Sequence, residues 1–282
     1  MLLAQWEVGP VTVVVKVGGA RAVDPKDALA DVSALIDNDE QVVVVHGGST
    51  AVDDTLEALG ETPEYVETPS GVVGRFTDER TMEVFSMVLP GKLNTDLVVG
   101  LQNEGVDAIG LSGIDGQLLS GSRKSAVRVV EDGKKKIRRG DHSGRIERVN
   151  GDLLETLLES GYTPVVTVPM LADDGVAVNS DADRAAAAVA GALSAELVIL
   201  TDVPGVLADV DDESSVIERV DSSDAYETLT AAAEGFMTRK VMAATEALED
   251  GAESATIASA NTEAPISGAL GSNGTTITPE AL

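Results

Sequence analysis

Short β-branched runs alternate with amphipathic stretches along the whole chain. TVVVKVGG (12–19) is an almost uninterrupted apolar run stopped by two glycines, which predicts a strand buried on both faces. Asp24 as a cap and Pro25 in the first turn then predict a helix over 25–38. QVVVVHGGST (41–50) repeats the strand–glycine–helix pattern, with a helix over 51–59. Further helices are predicted over 79–104 and 150–160, and strands over 106–111 and 163–169. In VNSDADRAAAAVAGAL (178–193) a strand end leads into an alanine-rich helix. AELVILTDVPGVL (195–207) reads as a strand and a Gly/Pro turn, 234–251 as an amphipathic helix ended by Gly251, and 254–259 and 275–278 as short strands. Strands alternating with helices predict a mostly parallel sheet covered on both faces, an α/β/α sandwich. Only 122–148 departs from the alternation, reading as a β-hairpin that turns near EDGK (131–134).

Composition narrows the function classes. The 282 residues suffice for one large α/β domain or two lobes sharing a site. Apolar residues are 43 % of the chain and aromatics 2 %. The absence of Cys excludes disulfides and thiolate metal sites, and two histidines, His46 and His142, make a histidine metal site unexpected, so no protein-held metal is predicted. No run approaches the roughly 18 uninterrupted apolar residues of a membrane span, and MLLAQWEVGP (1–10) lacks the basic start of an export signal; a cytoplasmic protein is expected. Forty-eight acidic residues against 20 basic ones give a formal charge of −28, spread along the chain. Its self-repulsion is relieved where salt shortens the Debye length, from about 10 Å at 0.1 M to about 3 Å at 1 M. Together with only 8 lysines this points to a high-salt cytoplasm, the alternative being an ordinary acidic enzyme.

Several residues carry candidate chemistry. Backbone N–H groups of glycines that end strands and open helices can approach a phosphate or carboxylate, although either pair could serve only a tight turn. Lys16 stands in an apolar strand one residue before such a turn, so its ammonium is expected at the carboxyl end of the sheet, where α/β ligand sites lie; an edge lysine reaching solvent is the other reading. Asp183 could cap the alanine-rich helix. Arg75, in the loop GVVGRFTDER (71–80), suits a bidentate grip on a carboxylate, or could be a surface residue. His46, ending an apolar strand, is read as a structural histidine.

KVGG (16–19), HGGS (46–49), VNSDAD (178–183), LTDVPGVL (200–207) and GFMTRKVMAA (235–244), in this order and spacing, resemble the amino acid kinase family, and its N-acetylglutamate kinases in particular. The resemblance implies a single domain over 1–282 that transfers phosphate from ATP, with its Mg²⁺, to a carboxylate. It implies an acceptor-binding lobe over 1–170 and a nucleotide-binding lobe over 171–282. Lys16 and Lys240 would stabilise the phosphoryl group in flight and Asp183 would orient both. Gly18, Gly19 and Gly47 would meet phosphates. Gly48, Ser49, Arg75 and Asn179 would hold the amino acid, and Thr201, Asp202, Gly205 and Met237 would border the nucleotide. The chemistry is consistent: a side-chain carboxylate with a pKa near 4 is already a nucleophile at pH 7, so the obstacle is repulsion between anions rather than proton removal.

One charge run stands against the rest. Between Arg123 and Arg148 lie ten of the 20 cations and four anions, so this segment nets +6 and the remainder −34. Arg123, Lys124, Arg128, Lys134, Lys135, Lys136, Arg138 and Arg139 are read as a docking site for an acidic partner. Nucleic acid is not expected, because aromatic residues for stacking are missing and the global field repels it. GLSGIDGQLLSG (110–121), RKSAV (123–127) and RRGDHSGRIERVN (138–150) are similar to the branch of the family that acts on an amino-group carrier protein bearing glutamate or 2-aminoadipate, with HGGS in place of HGGG pointing the same way. A free N-acetylglutamate kinase and a non-catalytic, nucleotide-gated binding protein are the alternatives. With about ten residues before the first strand, the N-terminal helix of arginine-inhibited hexamers is not expected, and a homodimer without arginine feedback is.

Overall fold

The structure is a computed structural model that describes residues 11–18, 25–69, 71, 73–131 and 133–282. The readings placed on residues 1–10, on Gly19 and on Asp24 lie outside these. In chain order the described elements are β1 (Thr12–Val17), α1 (Lys26–Asp37), β2 (Gln41–His46), α2 (Ser49–Ala58), β3 (Tyr65–Glu67), β4 (Val73–Arg75), α3 (Glu79–Met87), α4 (Asn94–Asn103) and β5 (Ala108–Gly113). There follow β6 (Leu119–Glu131), β7 (Lys134–Val149), α5 (Gly151–Glu159), β8 (Thr163–Ala172), β9 (Ala177–Val178), α6 (Ala182–Leu193) and β10 (Glu196–Thr201). The chain ends with β11 (Arg219–Val220), α7 (Ser223–Ala232), α8 (Phe236–Glu249), β12 (Ser254–Ser259), α9 (Pro265–Leu270) and β13 (Thr275–Ile277).

Eleven described strands share one sheet in the order β11-β13-β12-β10-β1-β2-β8-β6-β7, with β5 and β9 also on β8; β3 and β4 pair separately. The sheet is mixed and mostly parallel: β6–β7, β8–β9 and β12–β13 are its antiparallel pairs. The period of two along β1 divides the core. Val13, Val15 and Val17 pack with Leu29 and Val32 of α1, Leu101 of α4 and Ile266 of α9. Val14 packs on the other face with Val52 and Leu56 of α2, Phe85 of α3, Leu154 of α5, Ala186 and Val189 of α6 and Val241 of α8. The chain is therefore a three-layer α/β/α sandwich. The valine-rich strands are buried on both faces, as parallel strands require.

The helix expected over 79–104 is interrupted. A π-helical turn, Val88–Leu93, joins α3 to α4. Pro90 falls inside it, and proline has no N–H to donate; the wider turn absorbs the missing bond. By length and composition the stretch Glu79–Asn103 could cross a membrane. Here it lies on the sheet, with Leu89 and Leu101 in the core and the Lys92–Asp96 ion pair exposed at 2.6 Å.

The charge excess leaves a local mark. Glu40, Glu196 and Glu253 gather at the amino ends of β2, β10 and β12. Burial, and then the carboxylates of Glu253 and Glu40, push the Glu196 carboxyl above its usual range.

Candidate functional site

The carboxyl ends of β1, β2 and β10 open into one cleft of about 1540 Å³. Lys16 is on the inner strand β1, opposite Val45 of β2 and Ile199 of β10, and is 7 % exposed. This corrects the reading of an edge lysine reaching solvent. It shares a sheet face with Val14, below α6, and α8 packs beside α6 over β10 and β12.

Asp183 meets it from α6. Lys16 Nζ lies 2.7 Å from Asp183 Oδ1, and Lys240 Nζ, from α8, lies 3.3 Å from Asp183 Oδ2. The capping alternative for Asp183 is also corrected. Helix α6 starts two residues earlier than a cap at Asp183 would place it, and Asp181 is its cap, accepting from the N–H groups of Asp183 (2.9 Å) and Arg184 (3.1 Å). Asp183 is thus released for the lysines. Burial pushes its carboxyl up, but the two ammonium groups outweigh this and hold it below the usual range. Burial and then the Lys16 ammonium lower Lys240, against the opposing pull of Asp183. Two ammonium groups on one carboxylate leave a net positive centre in the cleft, suited to an anion.

Helices α2, α6 and α8 all begin on this cleft. Asp181 caps α6, whereas no side chain caps α2 or α8, so the N–H groups and dipoles of those two termini face the cavity uncompensated. Gly48 is the backbone cap of α2; a Cβ there would lie 2.7 Å from Leu89 Cδ2, so the turn has no room for a side chain. A Cβ on Gly47 would sit 3.0 Å from Ala182 Cβ, which lets the turn after β2 close on the start of α6. Gly18 lines the cleft as well.

At one end of the cleft lie Ser49, Arg75 and Asn179. Arg75 ends strand β4 rather than sitting in a loop. Its Nη1 is paired with Asp53 Oδ1; its Nη2 donates to Ser49 Oγ at 2.9 Å, Ser49 O at 3.2 Å and Tyr65 OH at 2.9 Å. The open bidentate fork expected of it is therefore engaged within the protein. Asn179 exchanges backbone hydrogen bonds with the base of β7, through His142 O (2.7 Å) and Gly144 N (2.8 Å), while its Oδ1 is buried with no partner among the described residues.

At the other end, Thr201, Asp202 and Met237 line the cleft. Gly205 does not: it is buried against Thr275 and Val216, where a close approach lets Val206 N donate to Thr275 Oγ1 at 2.8 Å. His46 has no role in the cavity. It is buried on the opposite sheet face, its Nδ1–H donating to Gly47 O (2.9 Å) and its Nε2 accepting from Asn94 Nδ2 (3.1 Å). Burial lowers its pKa to about 4, so it is neutral.

The hairpin β6–β7 is paired out to Glu131 and Lys134, and its base, Ser143 to Ile146, lines the cleft together with Lys124. Its cations do not act alike. Arg138 stacks 4.1 Å over Phe76 and grips Glu64 with both terminal nitrogens; Arg123 donates to Asp141 O at 3.1 Å and lies 3.7 Å from Asp174. Arg138 thus holds the hairpin to the body, and Arg123 ties its two strands to each other, so both side chains are engaged within the chain. The register places Ala126, Arg128 and Val130 opposite Arg139, Ile137 and Lys135, on the face turned away from buried Val129 and from Arg138. Ile137 stands 66 % exposed among these cations. Asp53 and Tyr65 line the cleft although no motif singled them out, and Arg145, within the RRGDHSGRIERVN stretch, lines it as well.

Fold and site together define a phosphoryl-transferring enzyme. The model of the amino acid kinase family matches residues 11–259, and the chain belongs to that family. It is 45 % identical over 266 residues to a [LysW]-aminoadipate kinase of Deinococcus radiodurans, covering 94 % of this chain and 91 % of that one. It is 44 % identical over 271 residues to a [LysW]-aminoadipate kinase of Thermus thermophilus, covering 94 % and 99 %. An acetylglutamate kinase of Methanopyrus kandleri is 42 % identical over 246 residues, covering 86 % and 93 %. Among solved structures, a carbamate kinase of Giardia shares the fold with a TM-score of 0.66 at 17 % identity, covering 95 % of this chain and 99 % of that one. An N-acetylglutamate synthase of Neisseria gonorrhoeae does so with a TM-score of 0.73 at 24 % identity; 96 % of this chain spans 60 % of that one.

Proposed function

We propose that this enzyme phosphorylates, from ATP, the side-chain carboxylate of glutamate or 2-aminoadipate attached to an acidic amino-group carrier protein, giving an acyl phosphate for arginine or lysine synthesis. The carrying observation is the joining of two features in one cavity: the Lys16–Asp183–Lys240 centre and the base of a cationic hairpin. The relatives named for LysW-linked substrates support it.

In this reading the acceptor occupies the lobe of residues 1–170 and the nucleotide that of residues 171–282. The uncapped start of α2, with Gly48 and Ser49, and Arg75 receive the amino acid, and the unpartnered Asn179 Oδ1 accepts from its acylated N–H. Gly18, Gly47 and the start of α8 receive phosphate oxygens; Thr201, Asp202 and Met237 border the nucleotide. The acceptor carboxylate attacks the γ-phosphorus, the bond to the β–γ bridging oxygen breaks, and the ADP oxygen takes the electron pair. Lys16 and Lys240 neutralise charge on the phosphoryl group throughout. Mg²⁺ arrives with the ATP phosphates in this reading.

The carrier docks on the outward hairpin face of Arg128, Lys135, Ile137 and Arg139, in a cytoplasm of high salt and on a homodimer. The gathered carboxylates around Glu196 and the −34 charge outside the hairpin predict that the melting temperature rises as KCl goes from about 0.1 to 2 M; a flat or falling response removes that part of the reading.

The test compares phosphorylation of N-acetylglutamate with that of purified carrier bearing glutamate or 2-aminoadipate. Carrier-linked substrate is expected to give the higher kcat/KM, and Lys135→Glu with Arg139→Glu to raise its KM while leaving the acetylated substrate unaffected. Preference for N-acetylglutamate refutes the carrier reading in favour of the acetylglutamate one, for which the Methanopyrus relative speaks. One methylene is worth about 1–3 kcal/mol in a pocket, so the two carried amino acids should separate by about tenfold or more.

A further inference from the structure

The charge arrangement around Arg75 calls for a physical account, because a carboxylate stands inside the pocket assigned to an anionic acceptor. Asp53 lies one helical turn after Ser49 on α2, so both side chains share the helix face toward β3 and β4. Its Oδ1 pairs with Arg75 Nη1 and its Oδ2 accepts from Tyr65 OH at 2.8 Å. Tyr65 OH in turn accepts from Arg75 Nη2 at 2.9 Å. The guanidinium is held between two rings, with Tyr65 at 5.0 Å and Phe85 at 5.5 Å from its carbon. The Arg75 side chain is only 6 % exposed and that of Asp53 22 %. Arg75 has several rotatable bonds, and a guanidinium left without a fixed partner would spend much of its time in unproductive orientations. Asp53 removes that freedom. With Nη1 tied down, Nη2 is aimed at Ser49, at the uncapped start of α2.

We infer that Asp53 is a positioning residue for the acceptor pocket, holding Arg75 so that a single edge of its guanidinium, with Ser49 and the α2 terminus, meets a carboxylate of the carried amino acid. This rests on the acceptor assignment above and specifies how that site reads its substrate. Because Nη1 is tied to Asp53 while Nη2 rests on Ser49 and Tyr65, the acceptor carboxylate takes over the Nη2 contacts to Ser49 and is gripped by that one nitrogen and a helix terminus rather than by the two-pronged fork that an isolated arginine would offer. The Asp53–Arg75 pair is neutral, so the pocket attracts its anion by direction rather than by excess charge. Tyr65 makes the arrangement specific to an ordered β3–β4 pair, since its hydroxyl bridges the two charged groups.

The test is a steady-state comparison of Asp53→Asn with the parent enzyme, using whichever acceptor the parent phosphorylates. The acceptor KM is expected to rise about tenfold or more, with kcat at saturating acceptor within about threefold of the parent and the ATP KM unchanged. In the Arg75→Ala background the same substitution should change the acceptor KM less than twofold, because the group it positions is gone. An unchanged acceptor KM, equal rises in both substrate constants, or an undiminished effect in the Arg75→Ala background each overturn the proposal. Should Asp53→Asn fail to fold, Tyr65→Phe replaces it, with an expected rise of about threefold in the acceptor KM alone; no rise refutes the role. If the parent phosphorylates no carboxylate acceptor, it is the function assignment that falls, which separates the two failures.

Discussion

Alanine at Lys240, or at Lys16, lowers kcat by about 10²–10³-fold while changing the KM values for ATP and acceptor much less. Both ammonium groups are held against Asp183, at 2.7 and 3.3 Å, so the protein's own carboxylate fixes their positions. Their contribution grows as negative charge concentrates on the transferring group, and an interaction stronger in the transition state than in the ground state appears in kcat. The same geometry sets a pH dependence. Burial and the neighbouring Lys16 ammonium lower Lys240 from 10.5, so it loses its proton at a lower pH than a free lysine. The kcat/KM profile, which reports the free enzyme, should therefore fall on the alkaline side with a midpoint below 10.5. The Lys240→Ala variant should lack that limb. Rates and pH profiles from initial-velocity assays decide both points; an alanine variant with parental kcat would remove the lysines from the chemistry.

Asp183→Asn is expected to damage both activity and fold. The carboxylate is all that separates two buried ammonium groups from mutual repulsion, and removing one member of a buried ionic cluster costs about 3–5 kcal/mol. Loss of activity should match or exceed that of either lysine variant, because both lysines lose their orientation together. The sign of the pH effect follows from the lowered carboxyl. A carboxyl whose folded pKa lies below its ordinary 3.8 contributes stability that is present above 3.8 and lost as pH falls through the folded value. Thermal melts of parent and variant should differ most near neutrality and converge under acid. Equal melting temperatures at pH 7 would show that Asp183 is not the keystone described.

Much of the architecture could be read from residue patterns. The valine runs before GG at 18–19 and 47–48 are strands β1 and β2, because a β-branched run bounded by glycines has few other outcomes. The hairpin was legible from its charge and its DG turn. Where the reading fell short, the deciding contacts are between distant residues. Asp181 rather than Asp183 caps α6, a distinction of two residues settled by lysines from β1 and α8. Asp53 carries no motif; its role comes from β3 and β4, which are short, largely exposed and paired only with each other. Helix α7 escaped notice because Leu229 is its one fully buried side chain, too thin a stripe to give a helical period. Arg123 and Arg138 looked like their neighbours in charge, and contacts with distant residues such as Phe76, Glu64 and Asp141 set them apart.

The central claim is that the two lysines bind the phosphoryl group most tightly at mid-transfer. Its most direct test is the affinity of a planar phosphoryl mimic, aluminium fluoride with MgADP and the acceptor, for the parent and the Lys240→Ala enzyme. The account predicts that affinity falls by the same factor as kcat/KM, about 10²–10³. A mimic bound equally well by both enzymes would contradict it.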